Sequence, residues 1–190
     1  MITDRDLAQL RAIDDLVAWS RRTGGGLWLR GGWAMDFTLG RVTRRHADID
    51  WFVDVDALPA LQADLLAQGW KITRTQVNAV DFGLGDPANG LDHGIQTVRL
   101  LPDGTGVVAA GPHAGEPWPN GMLTAPELIL HKVTCPVISL AAQIEIKQQM
   151  PNWVPGLPVR AKDQHDLRLL RHAQTAARRV GGDRPPIVEP

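Results

Sequence analysis

Residues 27–53, LWLRGGWAMDFTLGRVTRRHADIDWFV, constrain the fold of this chain more than any other stretch. An apolar strand over 27–30 leads into a Gly-Gly turn, a short helix and a basic connection. A second apolar strand carrying Asp48 and Asp50 closes the unit. Residues i and i+2 of a strand share a face, so these two carboxylates point together while Ile49 points into the opposite layer. With Ile49, Trp51, Phe52 and Val53 around them the pair is expected to be largely buried, and buried paired acids require a partner. Magnesium meets that requirement: it takes hard oxygen ligands, keeps several waters and bridges carboxylates to substrate phosphates. Gly31 and Gly32 follow the first strand, where backbone without side chains can approach a phosphate and the next helix offers free N–H groups.

Gly31, Gly32, Trp33, Ala34 and Asp36, then Gly40, Arg41, Thr43, Arg44, His46, Asp48, Ile49 and Asp50, follow one another in an ordered, closely spaced set. This set resembles the signature of small-molecule nucleotidyltransferases that modify aminoglycoside and lincosamide antibiotics. The resemblance is firm over residues 1–75 and thin beyond. It implies the nucleotidyltransferase fold and a magnesium-dependent enzyme. That enzyme would transfer a nucleoside monophosphate, AMP from ATP, to a hydroxyl of a small molecule such as an aminoglycoside or lincosamide-like compound. Asp48 and Asp50 would hold Mg2+, Gly31 and Gly32 would cradle phosphate, and Arg44 would contact it. Lys132, among apolar residues in the weaker C-terminal match, is a further candidate for the nucleotide phosphates.

The resemblance also implies a third acid on a neighbouring strand, as metal ligand or as base for the acceptor hydroxyl. Here the sequence departs from the usual apolar-Asp-x-His pattern, reading GLDHGIQTVRLLPDG. Asp92 is the candidate, and Asp81 on the preceding strand is the alternative. Without a third acid the same fold would bind or convert a small molecule in a biosynthetic pathway without nucleotide transfer.

The basic cluster Arg41, Arg44 and Arg45 is local, because the whole chain of 190 residues carries a formal net charge of only −1. That balance supplies no general attraction to nucleic acid or membrane. No apolar run approaches the ~20 residues that span a bilayer, and MITDRDLAQL does not read as a signal peptide, so a cytoplasmic location is expected. The single Cys135 excludes an intrachain disulfide and reads as a buried small hydrophobe. The expected partners are therefore a nucleotide and a small-molecule acceptor.

The expected class is α/β (α+β), a small mixed β-sheet with helices on its face plus a helical C-terminal portion. The division is a catalytic domain over 1–111 and a helical portion over 112–190 that ends in a mobile tail. Thr3 with Asp6 predicts a capped helix over 4–22, and Leu58, Leu61, Leu65 and Leu66 predict a second, capped by Asp54 or Asp56. Strands are expected over 70–74, 77–84, 95–101 and 106–110, with turns at 85–87 and 102–104. Beyond the Gly/Pro-rich 111–120, Thr124 and Glu127 predict a helix running to Cys135. Further helices are expected over 140–150 and from 162 to 177, joined by a proline-rich loop carrying Trp153. Glu116, Asp86 and Glu145 could serve a cationic acceptor, whereas Trp118 and Trp153 would favour a less charged one.

Overall fold

The computed structural model describes residues 2–84, 91–153 and 160–182. Helix α1 (Asp4–Thr23) starts on the expected capping box: Thr3 accepts from the Asp6 amide while Asp6 accepts from the Thr3 amide. It stops at Gly24, whose left-handed φ of 74° closes the last turn. Strand β1 (Leu27–Arg30) runs straight into α2 (Gly31–Leu39), so the two glycines are the first residues of the helix rather than a separate turn. Strand β2 (Ile49–Asp54) and α3 (Leu58–Ala67) follow. Neither Asp54 nor Asp56 caps α3. Asp54 instead accepts from the Asp56 amide, and Pro59 in the first helical turn supplies the start.

Strands β3 (Lys71–Gln76), β4 (Ala79–Gly83), β5 (His93–Leu100) and β6 (Gly106–Val108) complete a mixed sheet. The order is β1-β2-β5-β4-β3, with β6 paired to β5; β2 and β5 are parallel and the remaining pairs antiparallel. The expected turn at 85–87 lies outside the described residues.

Alternation sorts the sheet into two faces. Leu27, Leu29, Ile49, Trp51, Val53, Val80, Phe82 and Ile95 are buried in one core cluster together with Ile13, Val17 and Leu61 of the helices. The other face carries Arg30, Asp50, Asp81, Gly94 and Gln96 in adjacent register. Every residue of β3 is exposed, and its Lys71, Arg74 and Gln76 suit an unpaired sheet edge.

The segment after residue 120 departs from expectation. No helix spans 124–135; β7 (Leu128–Leu130) and β8 (Val133–Cys135) form a hairpin. Its two turn residues, His131 and Lys132, both have positive φ, 46° and 72°, as a two-residue hairpin turn demands. Val137 then bridges Leu29 beside β1, and Met122, Leu130, Cys135, Val137 and Ile138 join the main core, so packing is continuous across residue 111. Helices α4 (Leu140–Trp153) and α5 (Ala161–Gly182) match the expected positions, although α4 extends through Pro151 into the predicted loop. The rest of that loop, 154–159, and the tail over 183–190 lie outside the described residues. No helix among the described residues is long and apolar enough to cross a membrane.

Candidate active site

Asp50 is the centre of the site. It stands on β2 opposite Arg30 of β1 and beside Gly94 of β5. A Cβ on Gly31 would collide with the Asp50 carboxylate, so only glycine, at φ 72°, fits where β1 turns into α2. Gly94 makes room on the other side: a Cβ there would lie 2.8 Å from Asp50 Oδ1 and 3.8 Å from Asp81 Oδ1. Those two oxygens are therefore separated by no more than about 6.6 Å, the sum of the two lengths.

Asp48 sits just ahead of β2 rather than inside it and is exposed, contrary to the expectation of a largely buried pair. Its charge nevertheless reaches the cluster. Burial holds the Asp50 carboxyl above the ordinary carboxylate range; Arg30 opposes that rise, Asp48 adds to it, and Lys162 and Lys147 oppose it further. Asp92 immediately precedes β5, and its carbonyl accepts from the Ile49 amide at 2.8 Å, which extends the parallel pairing to the level of Asp48. Burial, then Asp48 and Asp81, raise Asp92 as well, with Arg5 opposing. Its carboxylate leans over Gly83 of β4, where a Cβ would lie 2.9 Å from Oδ1. Asp81 has one oxygen tied to Arg74 at 2.5 Å, while its other faces Gly94. Four aspartates thus gather at one end of the cleft face, although among the described residues no three His, Cys, Asp or Glu side chains form a ready-made metal cage.

A cleft of about 770 Å3, open mouth included, runs from Asp50, Arg30 and Gly31 to Lys147, Met150 and Arg160 of the C-terminal part. It meets a second hollow of about 930 Å3 at Arg30 and Met150, walled by Trp118, Trp153, Gln96 and Glu116. Trp118 packs edge-on against both Phe52 and Trp153, at 4.9 and 6.1 Å between ring centroids, and Arg30 lies over the Phe52 ring at 4.7 Å.

Arg44 and Gly32 belong to a different group. The Arg44 guanidinium makes two bonds to Asp166 of α5, at 3.2 and 3.0 Å, and Asp166 also accepts from Lys147 of α4 at 2.9 Å. Arg44 further contacts His46 Nδ1 at 3.1 Å, and His46 Nε2 lies 2.6 Å from the buried Asp36 carboxylate, which also holds Thr43. This arrangement assigns the imidazole proton to Nε2 and leaves Nδ1 to accept from Arg44. A Cβ on Gly32 would strike His46 Nδ1 and come within 3.0 Å of Arg44, so the observed reason for glycine there is the packing of this network. Burial pushes the Asp166 carboxyl up, yet the hydrogen bonds from Arg44 and Lys147 prevail and hold it below the usual range.

The structure does not bring Lys132 to the cleft; it occupies the exposed hairpin tip, and β8 packs on α1. Glu145 is exposed on α4 outside both cleft linings, and Asp86 lies outside the described residues. Arg30 and Lys147 were not singled out by the sequence. Arg30 had a local signal, a charge ending an apolar strand before the glycines, whereas Lys147 on an ordinary helix had none.

The aminoglycoside-2''-adenylyltransferase family profile matches residues 12–170, most of the chain. The chain belongs to this family. Curated 2''-aminoglycoside nucleotidyltransferases of Klebsiella pneumoniae and Escherichia coli are 35% and 33% identical to it over 78 residues. Each match spans 41% of this chain and 42% of the relative, less than half of either length. Among solved structures, ANT(2'')-Ia in complex with adenylyl-2''-tobramycin is similar at a TM-score of 0.71 and 22% identity, covering 90% of this chain and 92% of that one. Lincomycin-bound LnuA, a lincosamide antibiotic adenylyltransferase, is similar at 0.69 and 20% identity, covering 86% and 96%. Both share the nucleotidyltransferase fold with this family member.

Proposed function

We propose that this aminoglycoside-adenylyltransferase family member transfers a nucleoside monophosphate, AMP from ATP, to a hydroxyl of an aminoglycoside or lincosamide-like molecule. The observation that carries this reading is Asp50 in a cleft with cationic walls, with Asp48 and Asp92 just ahead of the parallel strands β2 and β5.

The donor set fits magnesium: two hard carboxylates, Asp48 and Asp50, whose mutual repulsion a divalent cation would relieve. Bound there, magnesium would offset negative charge on the phosphates. Arg30 adds a fixed positive charge at the same end, and Gly31 keeps the backbone close to the Asp50 carboxylate. Asp92 is the base. It would take the acceptor hydroxyl proton onto its carboxylate, whose pKa is raised by burial first and then by Asp48 and Asp81. The acceptor would lie in the aromatic hollow, where Trp118 and Trp153 offer flat apolar walls and Glu116 a single anion among the described lining residues. Arg30 borders both hollows, so the attacking oxygen and the α-phosphorus would meet beside it. Arg44, committed to Asp166, would act on the nucleotide through the position of the C-terminal helices instead of through direct contact.

The test is release of pyrophosphate and formation of an adenylylated product from ATP with tobramycin or lincomycin, with and without magnesium. Tight ATP binding with neither product would favour a repurposed binding protein.

A further inference from the structure

We propose that Lys147 is a ligand for the nucleotide's phosphate chain and that Asp166 is the residue that positions it; this rests on the cleft at Asp50 being the nucleotide site. Lys147 and Asp50 line the same cleft, from α4 and from β2. Three other cations lie near it. Arg30 stacks on Phe52, Arg160 is largely engaged by Asp163 at 2.6 and 3.1 Å, and Lys162 is exposed. Lys147 differs from Arg160 and Lys162 in being held away from solvent, its side chain 13% exposed, and it pairs with a carboxylate that is itself fully buried.

That carboxylate serves two cations. Asp166 receives Arg44 and Lys147 together, so neither cation has that carboxylate to itself. Arg44 gives two donors to Asp166 and two more to His46 and the Arg45 carbonyl. Lys147 is less committed: its ammonium has three donors and gives one to Asp166. A cation with donors to spare, held in a sheltered wall of the cleft that Asp50 also lines, matches a triphosphate. Such a chain carries more negative charge than one metal ion neutralises, and its outer oxygens accept charge-assisted hydrogen bonds. Asp166 removes the conformational freedom of the lysine stem before the ligand arrives, which raises the affinity obtained from each bond. Arg44 extends the same chain to His46 and Asp36, so the segment leading to Asp48 and the phosphate-binding lysine are placed by one network.

Calorimetric titration of the parent, K147M and the double variant K147M/D166N with MgATP and with AMP tests this. The parent is expected to bind MgATP. K147M is expected to weaken MgATP by about tenfold or more while leaving AMP affinity unchanged, since only the outer phosphates are touched. Asp166→Asn alone should weaken MgATP similarly, and K147M/D166N should lose nothing beyond K147M, because Asp166 acts through the lysine. Thermal melting of each variant verifies that it is folded under the titration conditions. A folded K147M that binds MgATP like the parent, or that loses MgATP and AMP equally, overturns the assignment. A parent that binds neither nucleotide would overturn the nucleotide-site reading itself, a result distinguishable from any difference between variants.

Discussion

Two groups of charge sit a short way apart in this molecule and are built on opposite terms. Around Asp166 one buried carboxylate is satisfied by two cations, and its pKa falls. Around Asp50 burial comes first and like charge adds to it: Asp48 raises Asp50, Asp48 and Asp81 raise Asp92, and both carboxyls stand above the ordinary range. The first group ties α4 and α5 to the loop before β2, so its balance is structural. The second keeps like charges together, answered only in part by Arg30, Lys162 and Lys147, which is the condition expected of a site and not of a scaffold. The two groups thus weigh stability and function differently, and Lys147 is the member of the first that also lines the cleft.

The largest effect should come from the satisfied group. Asp166→Leu leaves Arg44 and Lys147 facing each other without their carboxylate and is expected to destabilise the fold by about 3–5 kcal/mol, read from denaturant unfolding. Acid reaches the same group more gently. The Asp166 carboxylate is depressed in the fold, so its contribution is complete above the ordinary carboxylate pKa and is lost as pH falls through the lower folded value.

His93, on the core face directly under the acids, adds a second acid sensitivity. Burial lowers its pKa to about 3; its Nδ1 accepts from Trp51 Nε1 at 3.1 Å, so the folded ring stays neutral. The unfolded ring takes up a proton near 6.5, so this contribution is whole above that pH and declines below it until about 3. The slope reaches about 1.4 kcal/mol per pH unit. Stability measured from pH 7 to pH 4 should fall accordingly, and the fall should be smaller in His93→Phe.

Two glycines, Gly32 against the first group and Gly94 against the second, give a paired comparison of smaller size. Gly32→Ala drives a methyl into His46 of the satisfied group and should destabilise by about 1–3 kcal/mol. Gly94→Ala presses on the Asp50 carboxylate from 2.8 Å, which can turn aside, so it should lower turnover by about tenfold or more while moving the melting temperature little. If Gly94→Ala unfolded the protein and Gly32→Ala only slowed it, the division of labour would be the reverse of the one described.

What could be seen in the sequence follows the same division. Residues 3–54 are legible in outline because their signals are local, the Thr3–Asp6 capping box, the glycine stop at 24 and two apolar strands, although Gly31 and Gly32 open α2 and Asp48 falls just outside β2. Residues 124–135 were misread. Leu128, Ile129 and Leu130 suit a short helix or a buried strand equally, and the turn is made by His131 and Lys132 without the Asn or Gly that usually announces one. Lys132 was drawn toward the cleft by that error. Arg44 was legible as a basic residue but not as the partner of Asp166, which lies 122 positions later. Asp81 became a neighbour of Asp50 only through the register that places both beside Gly94. Such pairings are set by topology, and no short window of sequence contains them.

The central claim is that the acids at Asp50 are arranged for a cation and its nucleotide at the expense of the fold. Asp50→Asn removes one charge from the repelling group and preserves shape. Its melting temperature, measured beside calorimetric titration with ATP and magnesium, tests the claim most directly. The expected result is a melting temperature equal to or above the parent's, because a carboxyl whose folded pKa is raised detracts from stability at neutral pH, together with loss of magnesium-dependent ATP binding. A variant that melted well below the parent and still bound ATP with magnesium as tightly would contradict it.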